Sequence, residues 1–166
     1  MDRENVQKAL EHFKTKVIAD SKRNFLGKSA SGKGLRSLGG DLKTYPRSFD
    51  LDFFMLDYMK YQDKGVSGTK KKYNTPYGYK DKRPPASAFD KWSIRRGLAP
   101  RDGEGRFKPR KSLNHAIAES VFRYGIKPSL FFTKAFEKHF KNLPDEVVEA
   151  FGLDAEDLMR MTLDAK

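Results

Sequence analysis

Three aspartates near the middle of the chain, Asp50, Asp52 and Asp57, come closest to a catalytic pattern. Asp50 and Asp52 alternate with apolar residues, and this period of two predicts a half-buried strand with one wet face. Carboxylates spaced in this way could hold the divalent metal of a nuclease, which Asp52→Asn would inactivate. The same spacing is typical of a solvated strand face, on which like charges oppose aggregation. We therefore expect no enzyme here and keep the nuclease as a lesser alternative.

The segment Gly27–Gly34, GKSASGKG, nearly matches the sequence motif of a phosphate-binding loop. That motif needs a Ser or Thr directly after its lysine to hold magnesium, and it needs an apolar strand before it. Neither is present, so the segment is better explained as a flexible linker. The histidines His12, His115 and His139 are far apart in sequence and lack the spacing of metal ligands. The residues therefore predict no cofactor, no metal site and no catalytic side chain.

Positive charge in the middle of the chain is the strongest electrostatic signal. The net charge is +12; residues 60–111 hold 16 Lys and Arg against five Asp and Glu, whereas residues 142–166 hold two against seven. Lys and Arg neutralise phosphates and aromatic rings stack on bases, but basic loops also dock on acidic protein surfaces. Both kinds of partner remain open. The residues expected to make partner contacts are Lys70, Lys71, Lys72, Tyr73, Tyr77, Tyr79, Arg101, Arg106 and Lys108.

Helices are predicted on both sides of this basic region by apolar residues three and four apart. Ser112 is expected to be an N-cap and Gly125 a C-terminal stop. The aromatic side chains expected in the core are Trp92, Phe122, Phe132 and Phe136. The predicted helices cover residues 5–19, 85–98 and 112–125, with two more that begin at 128–129 and at 143.

A short antiparallel hairpin is predicted from a strand at 41–45, a turn at 46–48 and a strand that begins at Phe49. After Phe53 the alternation changes parity at Phe54, which predicts a β-bulge or a twist between two covered faces. Residues 65–85 have loop chemistry throughout, and a loop of this length is typical of a binding arm. The fold class is therefore α+β, a small antiparallel sheet with flanking helices and long basic loop arms. The expected organisation is a domain at 1–142 that carries the arm at 65–85, followed by an acidic helical extension at 143–166.

Composition limits the location of the chain. Apolar residues make up 37% of the sequence, enough for a core, and there is no Cys. The lack of Cys excludes a disulfide framework, a thiolate zinc site and a cysteine nucleophile, and it is typical of a reducing cytoplasm. The N-terminal residues are polar and amphipathic rather than a signal peptide, and no run approaches the roughly 18 apolar residues of a membrane span. We expect a soluble protein that is not exported and has no membrane partner.

Four short motifs follow one another in the second half of the chain. They are FDKWSIRRGL at 89–98, AIA at 116–118, YGIKP at 124–128 and FFTKAFE at 131–137. Together with the preceding helix and hairpin, this ordered set resembles the tail-completion (neck) proteins of tailed bacteriophages over roughly residues 5–140. The long loop at 65–85 and the acidic tail after Leu143 depart from that family, and in these features the chain resembles the ring proteins stacked under the portal of crAss-like phages.

The resemblance implies a structural virion protein of the neck or tail, made in the cytoplasm of a bacterial host and without a catalytic site. Copies would form a closed ring, twelve-fold or six-fold, with a portal or adaptor ring above, tail proteins below and genomic DNA in the channel. Closed rings use head-to-tail interfaces, so the basic middle of one copy is expected to face the acidic tail of the next. The alternative is a basic nucleic-acid-binding protein that acts without a ring.

Overall fold

The computed structural model describes residues 3–28 and 31–164, with side chains described as far as residue 156 and at residue 160. Within these residues the chain has an α+β fold, with seven α-helices and one two-stranded antiparallel sheet. The elements in chain order are α1 (Glu4–Phe25), α2 (Lys33–Ser37), β1 (Gly39–Thr44), β2 (Phe49–Phe54), α3 (Tyr58–Lys64), a 3₁₀ turn (Ala86–Phe89), α4 (Asp90–Arg95), α5 (Arg110–Tyr124), α6 (Phe131–Phe140) and α7 (Leu143–Asp164).

The chain divides into two compact units, which are described separately. Unit 1 is assembled from three segments, Met1–Leu26, Leu35–Met55 and Phe131–Lys166. Unit 2 comprises Gly27–Gly34 and Leu56–Leu130, so most of it is one continuous stretch of chain. The basic region identified in the sequence therefore lies mainly in unit 2.

Helix α1 forms the centre of unit 1 because its apolar residues share one face. Phe13, Val17, Ser21 and Phe25 are buried at intervals of four residues, which is the spacing of one helical stripe. The stripe continues past residue 19, where the predicted helix ends, so the helix extends to Phe25. Basic residues in its last turn are favourable because that end of a helix carries partial negative charge.

An aromatic cluster connects α1, β2 and α6 in unit 1. The ring of Phe13 lies 6.2 Å from that of Phe53 and 5.6 Å from that of Phe136, both in edge-to-face geometry. Phe53 also meets Phe132 at 5.4 Å. Edge-to-face pairs at these separations add stability beyond the apolar area they bury. Phe132 and Phe136, which the sequence predicted as core residues, belong to this cluster.

The predicted hairpin is confirmed, but the predicted bulge is wrong. The register runs without interruption from Gly39 opposite Phe54 to Thr44 opposite Phe49. The strand ends at Phe54, and α3 begins at Tyr58. The change of parity thus marks a change from strand to helix, because the apolar residues after the strand follow helical rather than strand spacing.

Helix α3 shows this new spacing. Met59 and Asp63, four residues apart, are its buried positions. Gly65 follows the helix with φ of 74°, which is a backbone conformation that glycine adopts without strain. Gly65 therefore ends this helix and begins the loop at 65–85.

The N-terminus of α1 is capped from the far end of the chain. The carboxylate of Asp154 in α7 accepts hydrogen bonds from the backbone amides of Asn5 at 3.0 Å and Val6 at 3.2 Å. Arg3, at the N-cap position, offers no side-chain cap. The first amides of a helix lack internal partners and carry partial positive charge, so a carboxylate satisfies them well. Asp154 is only 4% exposed, and the acidic segment 143–166 thus contributes to unit 1.

A charged cluster between α1 and α6 predicts a pH dependence. The Asp20 carboxylate accepts a hydrogen bond from Lys138 Nζ at 2.9 Å and contacts His139 Nε2 at 3.0 Å. Lys138, then His139 and Arg23, lower the pKa of Asp20, against the opposing effect of burial. A carboxyl group with a lowered pKa contributes stability above its ordinary pKa and loses that contribution as the pH falls through the lowered value.

We therefore expect Asp20→Asn to be less stable than the parent near neutral pH, and the difference to shrink as the pH falls below about 4. Urea-unfolding midpoints of both proteins, measured from about pH 5 to about pH 2, test this expectation. Asp50→Asn is a matched control, because Asp50 is an exposed aspartate of the same unit. A difference between Asp20→Asn and the parent that stays constant over this range would contradict the expectation.

Candidate functional site

The basic loop after α3 is a folded structure that is fastened to the end of α5. Val66 and Ile126 exchange two backbone hydrogen bonds, of 2.9 and 2.8 Å. The amide of Ser67 donates to the Tyr77 carbonyl and the amide of Tyr79 to the Ser67 carbonyl, both at 2.9 Å. These bonds close the loop on itself and tie its base to the chain beyond α5.

Three glycines, Gly65, Gly68 and Gly125, allow this attachment, and we call them the glycine junction. Gly65 (φ 74°, ψ 177°) and Gly125 (φ 71°, ψ −161°) have backbone angles that are essentially restricted to glycine. A Cβ atom on Gly125 would fall far inside the van der Waals distance of the Val66 carbonyl oxygen, and one on Gly68 would meet the Arg123 carbonyl in the same way. Backbone therefore packs directly on backbone here.

The loop also caps the C-terminal end of α5. The amide of Thr69 donates to the Phe122 carbonyl at 2.9 Å, and that of Lys70 donates to the Arg123 carbonyl at 2.8 Å. The last carbonyls of a helix lack partners within it and carry partial negative charge, so nearby lysines are favourable. The three lysines that follow one another in this segment are all exposed; they are Lys70, Lys71 and Lys72, and we call them the lysine triplet.

The tyrosines of the loop are half-buried and pack within unit 2. Tyr77 meets Tyr61 edge to face at 4.7 Å, and Tyr79 meets Phe122 at 6.2 Å. Burial raises the pKa of Tyr79. Tyr73 is fixed through its backbone, whose amide donates to a serine hydroxyl at 2.9 Å. The tyrosines thus brace the loop, and the lysines are its exposed charged groups.

The second basic loop is a small hairpin that its own side chains hold in shape. Arg101 and Phe107 form an antiparallel bridge, and the guanidinium carbon of Arg101 lies 3.9 Å from the Phe107 ring centroid. The Asp102 carboxylate accepts hydrogen bonds from the Arg106 amide at 2.8 Å and from Arg106 Nε at 2.9 Å. Arg106 lowers the pKa of Asp102 by these bonds. Lys108 is exposed beside them.

Trp92 lies at the surface, so its prediction as a core residue is wrong. Its side chain is 40% exposed, whereas its neighbour Ser93 is fully buried. Helix α4 has only six residues, and Ser93 is its buried one. The guanidinium of Arg96 lies 6.0 Å from the Trp92 ring centroid, within the range of a cation–π contact. Phe122 is half-buried.

Ser112 is not an N-cap. Helix α5 begins at Arg110, with Pro109 at the N-cap position. Proline fixes φ near the helical value and lacks an amide, so it suits the start of a helix. The Ser112 hydroxyl, inside the first turn, donates to the Pro109 carbonyl at 2.7 Å. Gly125 ends the helix as predicted.

Two of the three aspartates considered for catalysis form surface ion pairs, and the third, Asp50, is exposed on β2. Asp52 pairs with Lys43 at 3.4 Å and Asp57 with Lys60 at 3.8 Å. In the described part of the chain no three His, Asp or Glu side chains are grouped so that they could hold a metal ion. The segment Gly27–Gly34 includes residues 29 and 30, which lie outside the described residues. No helix among the described residues is long and apolar enough to cross a membrane.

Sequence reasoning missed the residues that hold the first loop in shape. Ser67 is 7% exposed; its hydroxyl accepts the Tyr73 amide and donates to the Tyr73 carbonyl at 3.2 Å. The Thr75 hydroxyl donates to the Gly65 carbonyl at 3.1 Å. A Ser or Thr between glycines in a long loop signals local hydrogen bonding, which was the available clue. The partner of this loop in α5 could not be found from local spacing.

The structure thus places all nine candidate contact residues in two loops of unit 2, both shaped by internal hydrogen bonds. Neither a scan against protein-family models nor searches of curated proteins and of solved structures finds a match to this chain.

Proposed function

We propose that this chain is a structural virion protein, a ring-forming head-tail connector subunit of a tailed phage. It joins portal and tail around the DNA channel and carries no catalytic centre. The ordered motifs from residue 89 to residue 137 support the family, and the two basic loops of unit 2 support the mode of action. The proposal places copies of the chain in a ring, with virion proteins above and below.

The observation that carries the proposal is that exposed charge sits on loops that are already folded. The lysine triplet is attached through the glycine junction to the last turn of α5, and the loop that holds Arg101 and Arg106 is closed by its own ion pairs. A preformed surface loses little conformational entropy when it binds. Loops of this kind suit a protein that must present the same contacts in every copy of a ring.

The chemistry of the lysine triplet favours contact with phosphates rather than with bases. Its lysine side chains are exposed, whereas Tyr77 and Tyr79 are packed against Tyr61 and Phe122, and the ring of Tyr73 lies 5.5 Å from Lys71 Nζ. Contacts to phosphates carry no sequence information. The triplet thus fits duplex DNA that passes through a channel, without readout of its sequence.

The lysine triplet also supports a second candidate function, that of a basic nucleic-acid-binding protein that acts without a ring. The two functions differ in assembly. A connector forms closed rings, alone or on a neighbouring virion ring, whereas the alternative binds duplex DNA tightly and forms no ring. Light scattering with and without duplex DNA, followed by electron microscopy of any large species, distinguishes them; tight DNA binding by protein that forms no ring would overturn the connector proposal.

We expect the triple variant Lys70→Gln, Lys71→Gln and Lys72→Gln to bind duplex DNA more weakly and with less dependence on salt. The slope of log K against log salt should fall by about one for each lysine that contacts a phosphate. Fluorescence anisotropy with a labelled duplex, over a series of salt concentrations, measures this slope. A matched control removes the same charge from exposed lysines of unit 1, by Lys16→Gln, Lys134→Gln and Lys141→Gln. Equal loss of slope in both variants would show that only net charge matters.

A further inference from the structure

Helix α7 presents apolar side chains on an open face of unit 1. Val148 is 73% exposed and Phe151 is 52% exposed. Together with residues of α1 and of the hairpin they line a groove of about 450 Å³. Exposed apolar groups gathered in one groove mark an interaction surface more often than single exposed residues do.

Opposite charges flank the exposed apolar residues of this face. Arg3 and Arg47 line the groove next to the apolar residues. On α7 each residue is turned by about 100° from the one before, so Asp145 and Glu149 lie beyond Val148, on the side away from Phe151. Asp145, Glu149 and Arg47 are exposed. The order across the face is thus positive, apolar and negative.

A face with this order is complementary to itself. When a second copy is turned by a twofold rotation about an axis through Val148, its negative side meets the positive side of the first copy, and the apolar centres coincide. Arg3 already uses its guanidinium on the Pro46 carbonyl at 2.6 Å, so Arg47 is the freer arginine for an intermolecular ion pair. A uniformly basic or acidic partner would meet like charge on one of the two sides.

We infer that the α7 face is a twofold contact between two copies of this chain, with Val148 at the axis and Arg47 of each copy paired with Glu149 of the other. The inference does not rest on the connector proposal, because the lysine triplet and the second loop take no part in it. It makes free protein dimeric through unit 1, whatever unit 2 binds.

Sedimentation equilibrium over a range of concentrations tests the dimer. We expect a mass that rises towards twice 19.1 kDa in the parent protein and a dissociation constant that is roughly tenfold or more higher for Val148→Asp. Val148 is largely exposed, so this change leaves the fold intact, and circular dichroism checks that it does. Leu26→Asp is the control: Leu26 is 72% exposed in unit 1, follows α1 at the end opposite to Val6 and does not line the groove, and its variant should dimerise like the parent.

Charge exchange and cross-linking test the twofold arrangement itself. Arg47→Glu and Glu149→Arg should each weaken the dimer, and the double variant should restore it. The chain has no Cys, so Val148→Cys should form a disulfide-linked dimer on mild oxidation, whereas Leu26→Cys should not. A parent that stays monomeric, a Val148→Asp dimer as strong as the parent, or a double variant without rescue overturns the inference.

Discussion

Gly125→Ala is expected to destabilise unit 2 by about 3 kcal/mol or more. The backbone angles of Gly125 cost a residue with a side chain about 1–3 kcal/mol. The new methyl group would also overlap the Val66 carbonyl and force apart the two backbone hydrogen bonds between Val66 and Ile126. Thermal unfolding should show a fall in Tm of about 6 °C or more for a chain of this size.

Hydrogen exchange measured for the Val66 and Ile126 amides tells whether the damage begins at the glycine junction, because both amides should lose protection first. Two other glycines provide graded controls. Gly97 has φ of 68° in open space, so Gly97→Ala should cost only about 1 kcal/mol. Gly103 lies in open space without a positive φ, so Gly103→Ala should be close to neutral. The idea fails if all three variants unfold at similar temperatures.

Asp154→Ala should have the second largest effect, a loss of about 2–3 kcal/mol from unit 1. The variant leaves the amides of Asn5 and Val6 without their hydrogen-bond acceptor and removes a negative charge from the positive end of α1. Asp154→Asn keeps one acceptor oxygen and should fall between parent and alanine variant. Urea unfolding followed by circular dichroism measures the change, because α1 is one of the two longest helices.

Glu156→Gln is the control for Asp154. Glu156 lies in the same helix, but its exposed carboxylate pairs only with Arg160 at 2.7 Å among the described residues, and such pairs within a helix contribute little. We expect its unfolding midpoint to match that of the parent. If Asp154→Ala were equally neutral, the cap across the chain would not stabilise the protein.

Five of the seven described α-helices could be predicted from the sequence because their apolar residues repeat at helical spacing, whereas α2, of only five residues, lies in a segment with the composition of a loop. The helical spacing of Val6, Phe13 and Val17 predicted α1, and the position of Gly125 predicted the C-terminal end of α5. The hairpin could be predicted from its turn at residues 46–48. Helix α3 was missed because it is short and follows a strand directly, so its residues looked like a strand with a slipped phase.

Only part of the candidate site could be predicted from the sequence. The positions of the basic residues are visible in the sequence, but their support is not, since Gly125 lies 57 positions beyond Gly68. The burial of the tyrosines depends on partners such as Phe122, which local patterns do not specify. Trp92 was misjudged because aromatic residues are usually buried, whereas the short helix α4 turns its small Ser93 inward.

The assembly of unit 1 from three separated segments sets an order for folding during synthesis. Most of unit 2 is the continuous stretch Leu56–Leu130, which leaves the ribosome before α6 and α7 are made. The contacts within unit 2 can therefore form before the ribosome has made α6, on which α1 packs, and before it has made Asp154, which lies 149 residues beyond Asn5. Until then only the hairpin, through Phe53, can cover part of the apolar stripe of α1. We therefore expect the nascent chain to be most prone to aggregation before its last two helices have left the ribosome.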